Sequence, residues 1–182
     1  MNFGLHIGQQ NISMAEMRKT WTWADTAGFD WVDVWDHFYE APPVDGNGSC
    51  FEATTCMAAM ACETTNVRIG VLVLGMNYRH PAILANALTT IDHLSDGRLL
   101  PTVAVGREDA PEWAATGRSP KGRGEKVDEA LEVMTRLWSS ESASFEGKHY
   151  TLRDASISPR PKQSPLPLWI GGDSPSAIRR TV

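Results

Sequence analysis

The segment from Val67 to Ala82 restricts the fold of this chain more than any other. Val67 to Leu74 is almost entirely β-branched or aliphatic, which is typical of a strand buried on both faces. A polar Asn-Tyr-Arg-His sequence follows, and Pro81 is favoured at the first position of a helix. The segment therefore predicts a buried parallel strand, a loop and a helix, the unit of α/β barrels, with the loop at the end where active sites form.

This strand–helix unit recurs along the sequence. The predicted strands cover residues 3–8, 30–35, 67–74, 98–105 and 168–171. Helices are predicted at 13–28, with Ser13 and Gly28 as caps, at 51–63, at 81–94, over an amphipathic stretch at 127–138, and from Ser174-Pro175 onward. A loop containing Pro42, Pro43 and Gly46 precedes the second helix, residues 106–124 are predicted to be irregular, and residues 143–152 predict a hairpin.

The alternation of strands and helices predicts an α/β fold with a parallel sheet. Gly8 is followed by Gln-Gln-Asn rather than a Gly-x-Gly-x-x-Gly sequence, so a dinucleotide-binding fold has no support. A (β/α)8 TIM-barrel type is favoured. A complete barrel needs eight strands and about 250 residues. Since 182 residues provide five units, we expect one domain over residues 1–182 that forms an incomplete barrel without strands six to eight.

Composition excludes several classes of function. The net charge of -5 and the lack of a Lys/Arg cluster argue against nucleic acid. No apolar run reaches the roughly 18 residues of a membrane span, and no signal pattern opens the chain, so a cytoplasmic protein is expected. The three cysteines form no Cys-x-x-Cys pair, and His6-Ile7-Gly8 lacks the second histidine of a barrel metal site, so no metal is predicted.

Short motifs in a fixed order resemble the luciferase-like monooxygenase family, the (β/α)8 flavin and deazaflavin oxidoreductases. They span almost the whole chain, and each is weak alone while the set is specific. The motifs are Phe3-Gly4-Leu5-His6-Ile7, Gly28-Phe29-Asp30, Val34-Trp35-Asp36-His37-Phe38, Val67-Arg68-Ile69-Gly70, Tyr78-Arg79-His80-Pro81-Ala82, residues 90–99, residues 124–131, Leu137-Trp138, residues 145–150 and Trp169-Ile170-Gly171-Gly172.

The resemblance implies hydride transfer between a ring cofactor at the barrel mouth and a small organic substrate, with oxygen as a reactant in some members. Asp-His-Phe after the second strand points to members that use the deazaflavin coenzyme F420, with FMN as the alternative. The protein supplies position, hydrogen bonds and exclusion of water. A second hypothesis is a catalytically inactive, truncated barrel that binds flavin or nothing. An open sheet would expose its edges and apolar side chains, so a homo-oligomer is expected.

Asp36 and His37 are the strongest candidates for function, because they follow a strand at the predicted barrel mouth. The resemblance implies that Asp36 contacts the cofactor and that His37 faces the substrate. A histidine exchanges protons near neutral pH, which suits removal of an alcohol proton. The alternative is a loop histidine beside a turn-forming aspartate.

Further cofactor contacts are implied at the ends of the later strands. By resemblance, Leu72 and Val73 form a bulge, often with a non-proline cis bond, that supports the back of the ring. Glu108 is the nearest match to a glutamate that exchanges a proton with the reduced ring, although Arg107 aligns equally well. The remaining predicted cofactor contacts are Gly106, Gly171, Gly172 and Ser174, small residues that let a backbone approach a ligand. The alternative for the last three is a tight turn in which Ser174 caps the next helix. Arg79 is predicted to pair either with an anionic cofactor tail or with helix carboxylates around Asp92.

Overall fold

The computed structural model describes residues 1–40 and 48–181. The predicted loop residues Pro42, Pro43 and Gly46 lie outside these ranges. In chain order the described elements are β1 (Gly4–His6), α1 (Met14–Ala27), β2 (Trp31–Val34), α2 (Ala53–Glu63), β3 (Arg68–Gly75), a 3-10 turn (Met76–Tyr78), α3 (Pro81–Leu94), β4 (Leu99–Ala104), α4 (Glu112–Ala115), α5 (Arg123–Ser139), β5 (Ala143–Glu146), β6 (Thr151–Ala155), β7 (Trp169–Ile170) and α6 (Pro175–Arg179).

The main sheet of the described residues has five strands in the order β1-β2-β3-β4-β7, and every neighbouring pair is parallel. The strands stand in the sheet in the order in which they occur in the sequence. The hairpin β5–β6 lies between β4 and β7 in the sequence, but it forms a separate antiparallel sheet. A sequential order without reversal is that of a (β/α) barrel, whereas a doubly wound sheet reverses its strand order. The predicted fold class and the predicted hairpin are therefore confirmed.

The sheet is strongly curved. Trp31 lies on β2 and Trp169 on β7, with two strands between them, and neighbouring strands are spaced by about 4.8 Å. Their rings nevertheless meet at a centroid distance of 6.5 Å. The two side chains therefore contact each other across a concave face, as the inner face of a barrel requires.

The other, convex face carries the hydrophobic core. Alternate strand residues such as Val32, Ile69 and Val103 are fully buried, as expected for side chains that share one face of a strand. They pack in one cluster with helical side chains, among which Trp21 of α1 and Leu88 of α3 are also fully buried. The helices thus form an outer layer, and the concave face and its rim are left for function.

β3 contains a bulge in the middle of the sheet. Val71 is aligned with Pro101 and Leu74 with Val103, so Leu72 and Val73 stand opposite one residue of β4. The peptide bond between Leu72 and Val73 is cis. Pro101 lacks an N–H donor, and it lies where the bulge already interrupts the ladder, which explains how β4 accommodates a proline.

Helix boundaries agree closely with the sequence patterns, and strand boundaries do not. Ser13 caps α1 in a reciprocal capping box with Glu16, and Gly28 ends it with φ +88°. Every predicted strand except the third is shorter than expected, because only a few residues of each find partners in the sheet. One detail differs, because the stretch after β4 that is predicted to be irregular contains α4. No helix in residues 1–40 and 48–181 has the length and apolarity to cross a membrane.

Candidate active site

The loops that follow β2, β3, β4 and β7 meet at one rim of the sheet, because the carboxyl ends of parallel strands share an edge. All predicted site residues lie on this rim or on the bulge below it. The predicted site residues are Asp36, His37, Leu72, Val73, Gly106, Glu108, Gly171, Gly172 and Ser174.

Asp36 is buried and fully hydrogen-bonded. Its Oδ2 accepts from the Gly75 N–H at 2.9 Å and from Arg79 Nη1 at 2.6 Å, and its Oδ1 accepts from Arg79 Nη2 at 2.9 Å. Arg79 also donates to Glu52 Oε1 at 2.6 Å. Arg79 therefore joins the loops after β2 and β3, and its predicted pairing near Asp92 is wrong, since Asp92 accepts from Gln163 instead.

This ion-pair network shifts the pKa values of Arg79 and Glu52. Burial disfavours the charge of Arg79, but the hydrogen bonds to Asp36 and Glu52 outweigh it and raise the pKa of the guanidinium above its usual value. Burial likewise opposes ionisation of Glu52, yet hydrogen bonds from Thr55, Thr54 and Arg79 hold the pKa of that carboxyl at about 2. Arg79 and Glu52 are thus both charged at neutral pH.

His37 is held by Glu112, a residue from the loop after β4. Its Nδ1 lies 3.0 Å from Glu112 Oε1, and the same oxygen accepts the Phe38 N–H at 3.1 Å. The Glu112 side chain is 1% exposed and that of His37 is 33% exposed. The other oxygen of Glu112, Oε2, is buried and has no hydrogen-bond partner among the described residues. A carboxylate in this state costs several kcal/mol to bury unless its environment compensates it.

Aromatic contacts extend from His37 along the rim. The Trp35 ring stands edge-on to His37 at 5.9 Å and to His6 at 5.3 Å. His6 Nδ1 is paired in turn with the buried Asp33. Gln9, fully buried after β1, fixes the Trp35 backbone by accepting its N–H at 3.0 Å and by donating to its carbonyl. Trp35 is therefore flanked by two histidines, each with a carboxylate on Nδ1.

Tyr78 and Trp113 close the side of the rim next to Gly106. Their rings meet at 5.4 Å, and Trp113 Nε1 donates to the Arg107 carbonyl at 2.8 Å. Burial, together with the negative charges of Glu112 and Asp36, raises the pKa of Tyr78 to about 12. Gly106 has φ +78°, and a Cβ there would lie 3.6 Å from the Tyr78 hydroxyl, so this backbone runs close beside the ring.

Leu72 and Val73 form an apolar shelf below the rim. The Leu72 side chain, in a central strand, is 54% exposed, which is unusual in a parallel sheet that is otherwise buried. Gly171 borders the shelf, since a Cβ on it would approach Val73 Cγ1 to 2.7 Å. Gly172 continues the turn with φ +125°. The hydroxyl of Ser174 caps α6 by accepting the Ala177 N–H at 3.1 Å.

Glu108 and His37 pair with different residues. Its side chain is 76% exposed and pairs with Arg123 at 3.2 Å. The carboxylate that contacts His37 is Glu112, which the sequence reasoning missed together with Gln9. A signal for Glu112 exists, because Pro111-Glu112 has the composition of a first helical turn. No group of His, Cys, Asp and Glu in the described ranges could hold a metal ion.

Comparison with known proteins identifies the family. The model of the luciferase-like monooxygenase family matches residues 1–182. The chain belongs to this family. The resemblance drawn from the motifs is thereby confirmed, and the family agrees with a five-stranded parallel sheet that carries its polar residues on one rim.

Relatives of the chain include enzymes named as F420-dependent. The chain is 37% identical over 156 residues to the F420-dependent glucose-6-phosphate dehydrogenase of Amycolatopsis mediterranei, covering 84% of this chain and 46% of that protein. The enzyme of the same name from Microbacterium testaceum is 29% identical over 184 residues, covering 98% of this chain and 53% of that protein. The chain thus spans about half the length of these relatives.

Solved structures agree. An F420-dependent secondary alcohol dehydrogenase in complex with an F420-acetone adduct superposes with a TM-score of 0.87 at 27% identity, over 98% of this chain and 54% of that one. A coenzyme F420-dependent tetrahydromethanopterin reductase from Methanopyrus kandleri has a TM-score of 0.79 at 19% identity, over 98% of this chain and 52% of that one, and it supports the fold alone.

Proposed function

We propose that this protein is an oxidoreductase that transfers hydride between coenzyme F420 and a small organic substrate, with His37 exchanging the substrate's proton. The observation that carries the proposal is the pairing of a half-exposed histidine with a buried carboxylate on the barrel rim, above an exposed apolar shelf. The names of the relatives, F420-dependent glucose-6-phosphate and secondary alcohol dehydrogenases, support the choice of cofactor.

The rim and the shelf fit a flat ring. Leu72 and Val73 offer an apolar surface in the middle of the sheet, and the absent Cβ atoms of Gly106 and Gly171 let the rim backbone pack closely on Tyr78 and Val73. Burial of the exposed apolar area of Leu72 against a ring favours binding by about 1–2 kcal/mol. Gly172 and Ser174 stand on the same rim. Asp36 contributes through the Arg79 network, which fixes the loops on either side of the shelf.

The chemistry divides between cofactor and protein. When bound, F420 supplies the hydride acceptor for oxidation of an alcohol. The protein has to remove the hydroxyl proton as the hydride leaves carbon, so that a carbonyl forms. His37 accepts that proton on its ring, and the nearby Glu112 carboxylate stabilises the imidazolium that results. Glu108 is proposed as the group that exchanges a proton with the reduced ring.

Binding is tested by titrating the protein with F420 and with FMN while following fluorescence. We expect F420 to bind and the Leu72→Ala variant to bind it about tenfold more weakly, from the lost apolar contact. Leu94→Ala is the matched control, because Leu94 is 45% exposed at the end of α3 and should leave the Kd unchanged. Binding of neither cofactor would favour the inactive-barrel hypothesis. Tighter binding of FMN than of F420 would identify FMN as the cofactor.

Turnover is tested with F420 and two substrates, glucose 6-phosphate and a secondary alcohol, by following the oxidised cofactor's absorbance. Loss of a general base lowers kcat by about 10²–10⁴-fold. We therefore expect His37→Asn to lower kcat by this factor and to leave the F420 Kd unchanged. Wild-type turnover by His37→Asn would remove this residue from the mechanism. Oxygen uptake measured in the same assay decides whether the protein acts as a monooxygenase.

A further inference from the structure

Glu112 fixes which nitrogen of His37 carries the proton. Its Oε1 accepts the Phe38 N–H, which can only donate. The second oxygen, Oε2, has no hydrogen-bond partner among the described residues, and in the ionised carboxylate both oxygens can only accept. At 3.0 Å from Oε1, the Nδ1 of His37 must therefore be the donor.

We infer that Glu112 is a positioning residue that holds neutral His37 as the Nδ1–H tautomer and thereby leaves Nε2 unprotonated to accept the substrate's proton. The catalytic role of His37 rests on the proposed function, whereas the tautomer rests on geometry alone. An imidazole whose tautomer is set by a hydrogen bond to its other nitrogen is a common arrangement of a general base.

The surroundings of Glu112 explain why it can hold this position. Glu112 opens α4, and its neighbour Trp113 packs against Tyr78, so the short helix is anchored to the loop after β3. Phe38 N–H binds the same oxygen as His37, which links the carboxylate to the backbone of the histidine's own loop. Trp35 stands edge-on to the imidazole and restricts ring rotation. His37 thus has one orientation, fixed from two loops.

The charge of Glu112 adds a second effect. It is a buried carboxylate, and Arg79, the nearby buried cation, is already paired with Asp36 and Glu52. An imidazolium on His37 is therefore the partner that completes its charge balance. The pairing is strongest after the proton has moved, which is when stabilisation accelerates the step.

The tautomer is tested without cofactor by nitrogen NMR of protein labelled with ¹⁵N-histidine, with His37→Asn used to assign the signals. In the wild-type protein above the titration of the ring, Nε2 should give the shift of a bare nitrogen and Nδ1 that of a protonated one. In Glu112→Ala the two signals should move toward those of free histidine. Glu112→Asp should restore part of the wild-type pattern. A wild-type His37 protonated on Nε2 overturns the inference whatever the activity.

Kinetic measurements then distinguish a positioning role of Glu112 from a purely structural one. With F420 and an alcohol, Glu112→Gln should lower kcat by about 10²-fold, since orientation survives in part and the charge is lost. The Kd for F420 should stay at the wild-type value, and Glu63→Gln on the outer helix α2 should change neither. Wild-type kcat in Glu112→Gln together with an unchanged ¹⁵N pattern contradicts the inference. A wild-type protein that shows the Nδ1–H tautomer but no F420 turnover refutes the proposed function and leaves the inference standing.

Discussion

Asp36 and Glu112 are two buried carboxylates on the rim of the sheet, and they differ in how completely they are paired. Asp36 accepts three hydrogen bonds, two from one guanidinium and one from a backbone N–H. Glu112 accepts two on a single oxygen, one of them from a half-exposed histidine, and its second oxygen has no partner in the described chain. The hydrogen bonds of Asp36 join two loops and leave neither of its oxygens without a partner. Glu112 instead keeps a carboxylate beside the imidazole of His37, which is the arrangement that proton transfer needs.

The largest effect should come from breaking the saturated network. Arg79→Met leaves Asp36 buried without its cation, and we expect a loss of about 3–5 kcal/mol in the free energy of unfolding. Urea unfolding measures this loss. The matched control is Arg18→Met, because Arg18 is 59% exposed in its pair with Glu63 and should cost at most about 1 kcal/mol. Equal losses in the two variants would show that the Asp36–Arg79 pair is no stronger than a surface pair.

A smaller loss is expected when the charge of Asp36 is removed and its shape is kept. Asp36→Asn retains an oxygen for the Gly75 N–H but loses the bidentate pair with Arg79. Hydrogen bonds to charged groups contribute about 1.5–3 kcal/mol, and Arg79 keeps Glu52 as a partner. We therefore expect Asp36→Asn to be destabilised by about 1.5–3 kcal/mol in urea. A loss equal to that of Arg79→Met would mean that Glu52 contributes nothing.

The pH dependence of stability tests the outer member of the network. The folded pKa of Glu52, about 2, lies below its ordinary value of 4.5, so the ionised carboxyl stabilises the fold above pH 4.5. This contribution is lost as the pH falls from about 4.5 to about 2. Because the Glu52 side chain is 42% exposed, solvent screens the effect. Unfolding of wild type and Glu52→Gln should differ at pH 6 and converge toward pH 2, whereas a constant difference would exclude ionisation as its source.

Glu112→Gln should barely change stability, in contrast to Asp36→Asn. The substitution removes an unbalanced buried charge and keeps an oxygen for the Phe38 N–H. The weaker hydrogen bond to His37 costs stability, and removal of the buried charge restores it. Because the two effects nearly cancel, we expect the free energy of unfolding to change by no more than about 1 kcal/mol in the same urea series. Loss of activity without loss of stability is what distinguishes a functional carboxylate from a structural one. A loss as large as that of Asp36→Asn would class Glu112 with the structural network.

The smallest effect on stability is expected for Glu108→Gln. Glu108 is 76% exposed, and its pair with Arg123 should contribute less than about 0.5 kcal/mol. A change in kcat in this variant therefore reports on chemistry rather than folding. A loss of about 10²-fold is the result expected of a group that exchanges a proton with the bound ring. Wild-type kcat would remove Glu108 from the active site.

The long helices follow the sequence pattern more closely than the strand ends and the short helix α4 do. Helix α3 begins and ends at the predicted residues, since Pro81 fixes its start and Asp96-Gly97 prevents its continuation. Strand ends were overestimated because pairing, rather than composition, decides where a strand stops. Helix α4 was missed because four residues carry no hydrophobic period to detect.

The sequence by itself determined the order of strand–helix units, the family, and the presence of a histidine and an aspartate at the end of the second strand. The order of the units follows from local composition and periodicity, which a linear chain displays directly, and the family follows from the resemblance of its ordered motifs. Only the tertiary structure decided which carboxylate belongs to which partner. Arg79 binds Asp36 across 43 positions and Glu112 reaches His37 across 75. Such pairs form because the curved parallel sheet brings its loops to one rim, and no local pattern encodes that meeting.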